Sequence, residues 1–165
     1  MRIETLFSEL NGFVIFDSKE LISFKKKHIN NSDILTPLTE TNLGDEISAN
    51  GVAIPIIGVE SDDYGFIMST NKLTYLKKVD VQSKGWIINS NGLLNICGIG
   101  YLKDFNLEKL IESNKIIKFE VPKGWLKIDI YGGLNDQHIP IIEIVFSKSL
   151  EKPKFEGDIS INFSF

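Results

Sequence analysis

The stretch Lys84–Cys97, "KGWIINSNGLLNIC", is echoed at Lys123–Leu134 by "KGWLKIDIYGGL", and the reading of this pair decides the fold. In each copy a Lys-Gly step precedes a tryptophan that opens an apolar run. Glycine permits a tight turn and tryptophan buries a large aromatic surface in a strand just beyond it. In the first copy Asn91-Gly92 stands between two apolar runs, the signature of a type I′ hairpin, so strands are expected near 86–90 and 93–97. In the second, Leu126, Ile128 and Ile130 alternate with Lys127 and Asp129, the period of a strand with one buried face. Residues 115–121, "KIIKFEV", precede it through Pro122 and Gly124, which predicts a second hairpin. Two copies in different turn contexts do not make a repeat architecture, which needs at least three at a fixed period. They read as two strand starts built in the same way.

Working outward, "FVIF" at 13–16 predicts a strand, and Asp17 with Glu20 forms a capping box that opens a helix over about 18–27. Lys25, Lys26 and Lys27 then fall in its last turn, where positive charge suits the carbonyl end of the helix. From His28 to Asn50 the polar composition and weak periodicity predict a long irregular segment. "VAIPIIGV" at 52–59 is strand-sized, with Pro55 pushing it to a sheet edge or a bulge. "ESDDYG" at 60–65 predicts a polar turn leading into "FIM" as a hairpin, while 72–81 fits either a strand pair or a helical turn. Asn106 caps a short helix closed by Asn114, and 139–147 and 158–165 add two strands. The fold class that emerges is α+β: a predominantly antiparallel β-sheet of about eight strands with two short helices, in a single globular domain spanning 1–165. Short connections favour antiparallel neighbours because parallel ones need a crossover of about a dozen residues.

Composition narrows the function classes. The chain has 165 residues, of which 42% are hydrophobic and 24% charged, enough to bury roughly two thirds of its unfolded surface in a packed core. Eighteen Lys and Arg against 22 Asp and Glu give a net charge of −4, which disfavours phosphate backbones, so nucleic acid is not an expected partner. A membrane is not expected either, since no apolar run reaches spanning length. Glu4, Ser8, Glu9 and Asn11 interrupt any signal-like apolar stretch at the N-terminus, and Cys97 is the only cysteine; both point to the reducing cytoplasm.

Catalytic and ligand-binding patterns are weak. His28 and His138 have no second ligand at metal-site spacing, and no cofactor or metal is expected. Cys97 with His138, oriented by Asp136 or Asn135, is the one conceivable nucleophilic arrangement, but a thiol in "LLNIC" reads as a buried core residue. "GIGYLKDF" lacks the third glycine of a dinucleotide cradle. Trp86, Trp125, Tyr101 and Tyr131 would serve a glycan or small-molecule module if they formed an exposed platform; aromatics amid apolar alternation are more often core.

The segments "LGDEISANGVAIPIIGVESDDYGFIM" (43–68) and "GWIINSNGLLNICGIGYL" (85–102) resemble small bacterial immunity proteins of polymorphic-toxin systems. That resemblance covers less than a third of the chain. It implies a non-catalytic protein that neutralises a cognate toxin by direct binding, over its active site or its assembly surface. An acidic, motif-free domain suits such a role, which needs a rigid scaffold, complementary charge and a few anchors. On this reading the residues expected to meet a basic toxin are Asp45, Glu46, Glu60, Asp62, Asp63 and Tyr64.

Overall fold

In the computed structural model, which describes residues 3–165, the two Lys-Gly-Trp segments lie side by side. Strand β5 (Val81–Ser90) pairs antiparallel with β8 (Gly124–Leu134) from Val81↔Gly132 to Ser90↔Gly124. Beyond the bend, β6 (Leu93–Gly98) pairs with β7 (Ile116–Glu120) from Leu93↔Glu120 to Cys97↔Ile116. The two strand pairs are thus one long antiparallel ribbon folded over at Asn91–Gly92 and Val121–Lys123, with each half in a different sheet. Neither expected hairpin forms. Gly92 has φ +110 but Asn91 is not left-handed, so the two-residue type I′ turn is absent at this site. Instead Val121 N–H donates to the Gly92 carbonyl across the corner at 3.1 Å.

The corner is tied to the first helix, α1 (Ser18–His28). The Asp17 carboxylate accepts from Lys19 N–H and Glu20 N–H as the helix cap. It also accepts from Asn91 N–H at 2.7 Å and from Asn91 Nδ2 at 2.9 Å. One buried carboxylate therefore serves two distant backbone segments, which satisfies its acceptor capacity.

The remaining strands are β1 (Glu4–Phe7), β2 (Gly12–Phe16), β3 (Ala53–Ile57), β4 (Asp63–Thr70) and β9 (Pro140–Ser149). They complete a five-stranded sheet, β1-β4-β9-β8-β5, and a four-stranded sheet, β3-β2-β6-β7. The architecture is α+β and mostly antiparallel, with nine strands; β4 and β9 form the parallel exception. β3 and β4 lie in different sheets, so the turn at 60–65 is also an inter-sheet passage rather than a hairpin. The inward faces interlock as one core in which Phe13, Ile15, Ile54 and Ile96 meet Phe66, Trp86, Ile128 and Ile144. β2 is apolar at every position because its other face, Val14 and Phe16, packs under a helical layer.

That layer corrects the expectation for 28–50. The segment holds α2 (Leu35–Glu40) and α3 (Leu43–Ala49), besides the expected α1 and α4 (Leu107–Glu112, capped by Asn106). Ile34 and Asn42, at the starts of α2 and α3, make no side-chain cap bond; Asp33 Oδ1 accepts from Thr36 N–H at 2.9 Å and Thr41 Oγ1 from Leu43 N–H at 3.2 Å. Both short helices are held by burial of Ile34 and Ile47, with Leu35, Leu38 and Leu43 packed against the same cluster, so tertiary packing supplies what weak periodicity does not. Gly44 is required there, since a Cβ would meet the Leu38 carbonyl oxygen at 2.2 Å.

The outer face of the five-stranded sheet is partly covered by residues 71–80, which adopt neither of the forms expected for them. The last residues, 158–165, are not a strand but an extended strap across the open side between the β3 and β5 edges. Glu156 N–H bonds the Gly85 carbonyl of β5, and Phe163 N–H bonds the Ile57 carbonyl of β3. Phe155 packs edge-on to Trp86, and Phe163 is 2% exposed in the core. The strap closes the sandwich with aromatic side chains instead of a hydrogen-bonded ladder.

Candidate functional site

The acidic turn Glu60–Asp63 leaves the end of β3 and enters β4. It is fixed by Ser8, which is 1% exposed in the link between β1 and β2. Ser8 Oγ donates to the Glu60 carbonyl at 2.7 Å and accepts from Asp62 N–H at 3.1 Å, while Ser8 N–H donates to the Asp62 carbonyl at 3.0 Å. Asn11 Nδ2 adds a bond to the Val59 carbonyl, and the Asp62 carboxylate accepts from Asp63 N–H. The backbone of the turn is therefore held from inside, leaving the side chains of Glu60, Asp62 and Asp63 exposed to solvent.

Apolar residues border the turn. Phe7 pairs with Asp63 across the β1–β4 ladder and is 48% exposed. Leu10, in a 3-10 turn at Glu9–Asn11, is 65% exposed and sits at φ 56, ψ 38. A leucine in the left-handed region is unfavourable by about 1–2 kcal/mol, and here the conformation carries the side chain to the surface. Sequence reading gave Ser8, Phe7 and Leu10 no role at this turn, because local pattern carries no information on contacts with residues fifty positions away.

Tyr64 does not belong to this surface. It is 1% exposed, follows the inward parity of β4, and packs edge-on to Phe13 and Phe165. Burial pushes its phenol pKa up. The acidic turn therefore offers carboxylates without this ring. Asp45 and Glu46 occupy the exposed first turn of α3. The chain reverses tightly after α3, with Val52 N–H bonded to the Ile47 carbonyl, so α3 folds back alongside β3. Gly44 and Ile47 of α3 consequently share a groove with Pro55 and Ile57 of β3.

The aromatic platform is not assembled. Trp86 is 1% exposed between the sheets, and its Nε1 donates to Ser83 Oγ at 2.8 Å. Trp125 lies on the opposite face of the five-stranded sheet, half-buried against Gly51, where a Cβ would meet its ring at 2.5 Å. Tyr131 is half-buried beneath the Lys84 ammonium, and Tyr101 stands in the 3-10 segment on the helical side. Trp125 and Tyr131 share the outer face of β8, six residues apart, while strand parity and the inter-sheet bend place Trp86 and Tyr101 in other layers.

The thiol arrangement is not assembled either. Cys97 is fully buried beneath the helices, and desolvation pushes its pKa up to about 12, the opposite of what a nucleophilic thiolate requires. His138 is exposed in the β8–β9 turn of the other sheet. Asp136 pairs with Lys77, and the Asn135 side chain accepts from Gln137 N–H and Ile139 N–H, so both serve the turn. His28 stacks on Phe24 at the end of α1. Among the described residues no three His, Cys, Asp or Glu side chains gather as a metal-binding group, and no helix is long and apolar enough to cross a membrane.

No family model matches the chain, and no curated protein matches its sequence. In fold it is similar to the crystal structure of ComJ from Bacillus subtilis, an inhibitor of the DNA-degrading activity of NucA. The superposition has a TM-score of 0.56 and covers 90% of this chain and 96% of that one, at 13% sequence identity. A likeness at that identity establishes a shared fold.

Proposed function

We propose that this chain is a non-catalytic inhibitor of the immunity type, which neutralises a cognate protein toxin in the bacterial cytoplasm by direct binding. The observation that carries the reading is the acidic turn at Glu60, Asp62 and Asp63, whose backbone is locked by a buried serine while its carboxylates face solvent. A preorganised charged loop loses little conformational entropy on binding, and its negative charge steers a basic partner toward it. Phe7 and Leu10 supply apolar anchors at its border, and Asp45 and Glu46 extend the negative surface at α3. The fold shared with a protein that inhibits a nuclease supports an inhibitory role, and a nuclease is the kind of enzyme whose phosphate-binding cleft is basic.

The test is co-expression with the product of the adjacent gene, purification of the pair, and assay of that product's toxicity with and without this chain. A stable complex that suppresses toxicity is expected. Asp62→Lys with Asp63→Lys is expected to slow association by about tenfold at low salt, with the difference shrinking as salt rises. An unchanged association rate removes the turn from the interface, and absence of a complex removes the inhibitor reading.

A further inference from the structure

An apolar groove of about 270 Å3 runs between α2–α3 and the β3 edge, lined chiefly by Leu38, Ile47, Pro55, Ile57, Ile99 and Ile159. Two features decide what fits it. First, β3 cannot accept an added strand here. Its outward Ala53 and Ile57 carbonyls are taken by Ser48 Oγ and Phe163 N–H, and Pro55 has no N–H to donate. An occupant must therefore bind through side chains, and the volume is below the roughly 300–1,000 Å3 of sites that enclose a small molecule. Second, the charge around the groove is predominantly negative. Glu40, Asp45, Glu46 and Asp158 are exposed, and each is the chain neighbour of a lining residue. Among such neighbours the one lysine, Lys103, acts on Asp33.

We infer that this groove seats an apolar side chain carried on a Lys- or Arg-rich segment of a protein partner. The segment lays its apolar anchor between α2–α3 and β3 and its cations over the four carboxylates, the groove counterpart of an amphipathic helix on an apolar cleft. The inference deepens the proposed function and rests on it, since it adds a second contact region to the same kind of basic partner.

It is tested with the full chain and a short synthetic peptide in which Lys and Leu follow a helical amphipathic pattern. Two control peptides carry Ser for Leu or Glu for Lys. The methyl resonances of Leu38, Ile57, Ile99 and Ile159 are expected to shift with the first peptide and to stay in place with both controls. Ile57→Arg and, separately, Ile159→Arg alter exposed side chains at the groove mouth and are each expected to weaken peptide binding by about tenfold, the effect of losing one anchor. Unfolding midpoints of both variants confirm that the fold is intact. Shifts that map elsewhere, no shift at millimolar peptide, or equal shifts with the Glu peptide overturn the inference. Peptide binding at the groove in a chain that forms no toxin complex upholds the groove and removes the inhibitor reading. A toxin complex weakened by Asp62→Lys and Asp63→Lys but not by Ile57→Arg or Ile159→Arg keeps the inhibitor reading and removes the groove.

Discussion

Replacing Glu143 by Gln tests whether one buried carboxylate organises the outer face of the five-stranded sheet. Glu143 is fully buried in β9, and among the described residues no cation is paired with it by a salt bridge. Its charge is instead met by donors from the end of β4 and from the irregular segment 71–80. Oε1 accepts from Ser69 Oγ at 2.6 Å and Thr74 N–H at 2.7 Å, and Oε2 accepts from Leu76 N–H at 2.8 Å; Tyr75 N–H is shared between them. Burial alone raises the carboxyl pKa, but the bonds from Leu76, Ser69, Thr74 and Tyr75 outweigh it and hold the group below its ordinary range. In Glu143→Gln the amide oxygen can keep the Ser69 and Thr74 bonds, but its NH2 then faces Leu76 N–H, donor against donor. Losing one charge-assisted bond costs about 2 kcal/mol, and weakening two others to neutral bonds about 1 kcal/mol each. The easier burial of a neutral amide offsets about 1–2 kcal/mol of this. The net expectation is a loss of about 2–3 kcal/mol at neutral pH, measured by urea unfolding together with amide exchange at Thr74–Leu76. The sign of the pH dependence follows from the depressed native pKa. The stabilisation is fully present above the unfolded-state value, near 4.3, and is lost as pH falls through the native one, so the wild type and variant curves converge in acid. A loss under about 0.5 kcal/mol with exchange protection intact would refute the assignment.

Three further outcomes are expected. Ser8→Ala leaves the Glu60 carbonyl and Asp62 N–H without their buried partner, which costs about 1–3 kcal/mol; if the acidic turn binds the toxin, dissociation also accelerates, read by surface plasmon resonance. Asp17→Ala removes both the α1 cap and the corner bonds to Asn91, and thermal unfolding should show a loss of about 2–4 kcal/mol, with Asn91→Ala accounting for only part of it. Cys97 should react with a maleimide at neutral pH only as fast as the protein opens, so labelling that keeps pace with a free thiol contradicts its burial.

Local signals located α1 and α4 through Asp17 and Asn106, and the alternation of β8 through Leu126, Ile128 and Ile130. They failed at 28–50 because α2 and α3 are each under two turns long, too short for a helical period to show, and exist by packing on the four-stranded sheet. They failed at 158–165 because strand-like alternation there serves aromatic insertion at a sheet edge without a ladder. For the candidate site, the exposed carboxylates of Glu60, Asp62 and Asp63 were legible as a polar turn, whereas the inward turn of Tyr64 was not, since parity fixes which side chains share a face and not which face meets the core.

The sequence by itself determined a strand-rich α+β chain, the start of its second Lys-Gly-Trp strand at Gly124, and a thiol placed among apolar neighbours, whereas Lys84-Gly85 is a bulge inside β5 and not the turn that opens it. Only the tertiary structure decided that those strands form one ribbon bent across two sheets, and that Ser8 locks an acidic turn more than fifty residues along the chain. The physical reason is that turn and alternation patterns encode the backbone within a few residues. Which strand a given strand pairs with depends on where apolar faces can be buried together, and that is settled by contacts between distant segments.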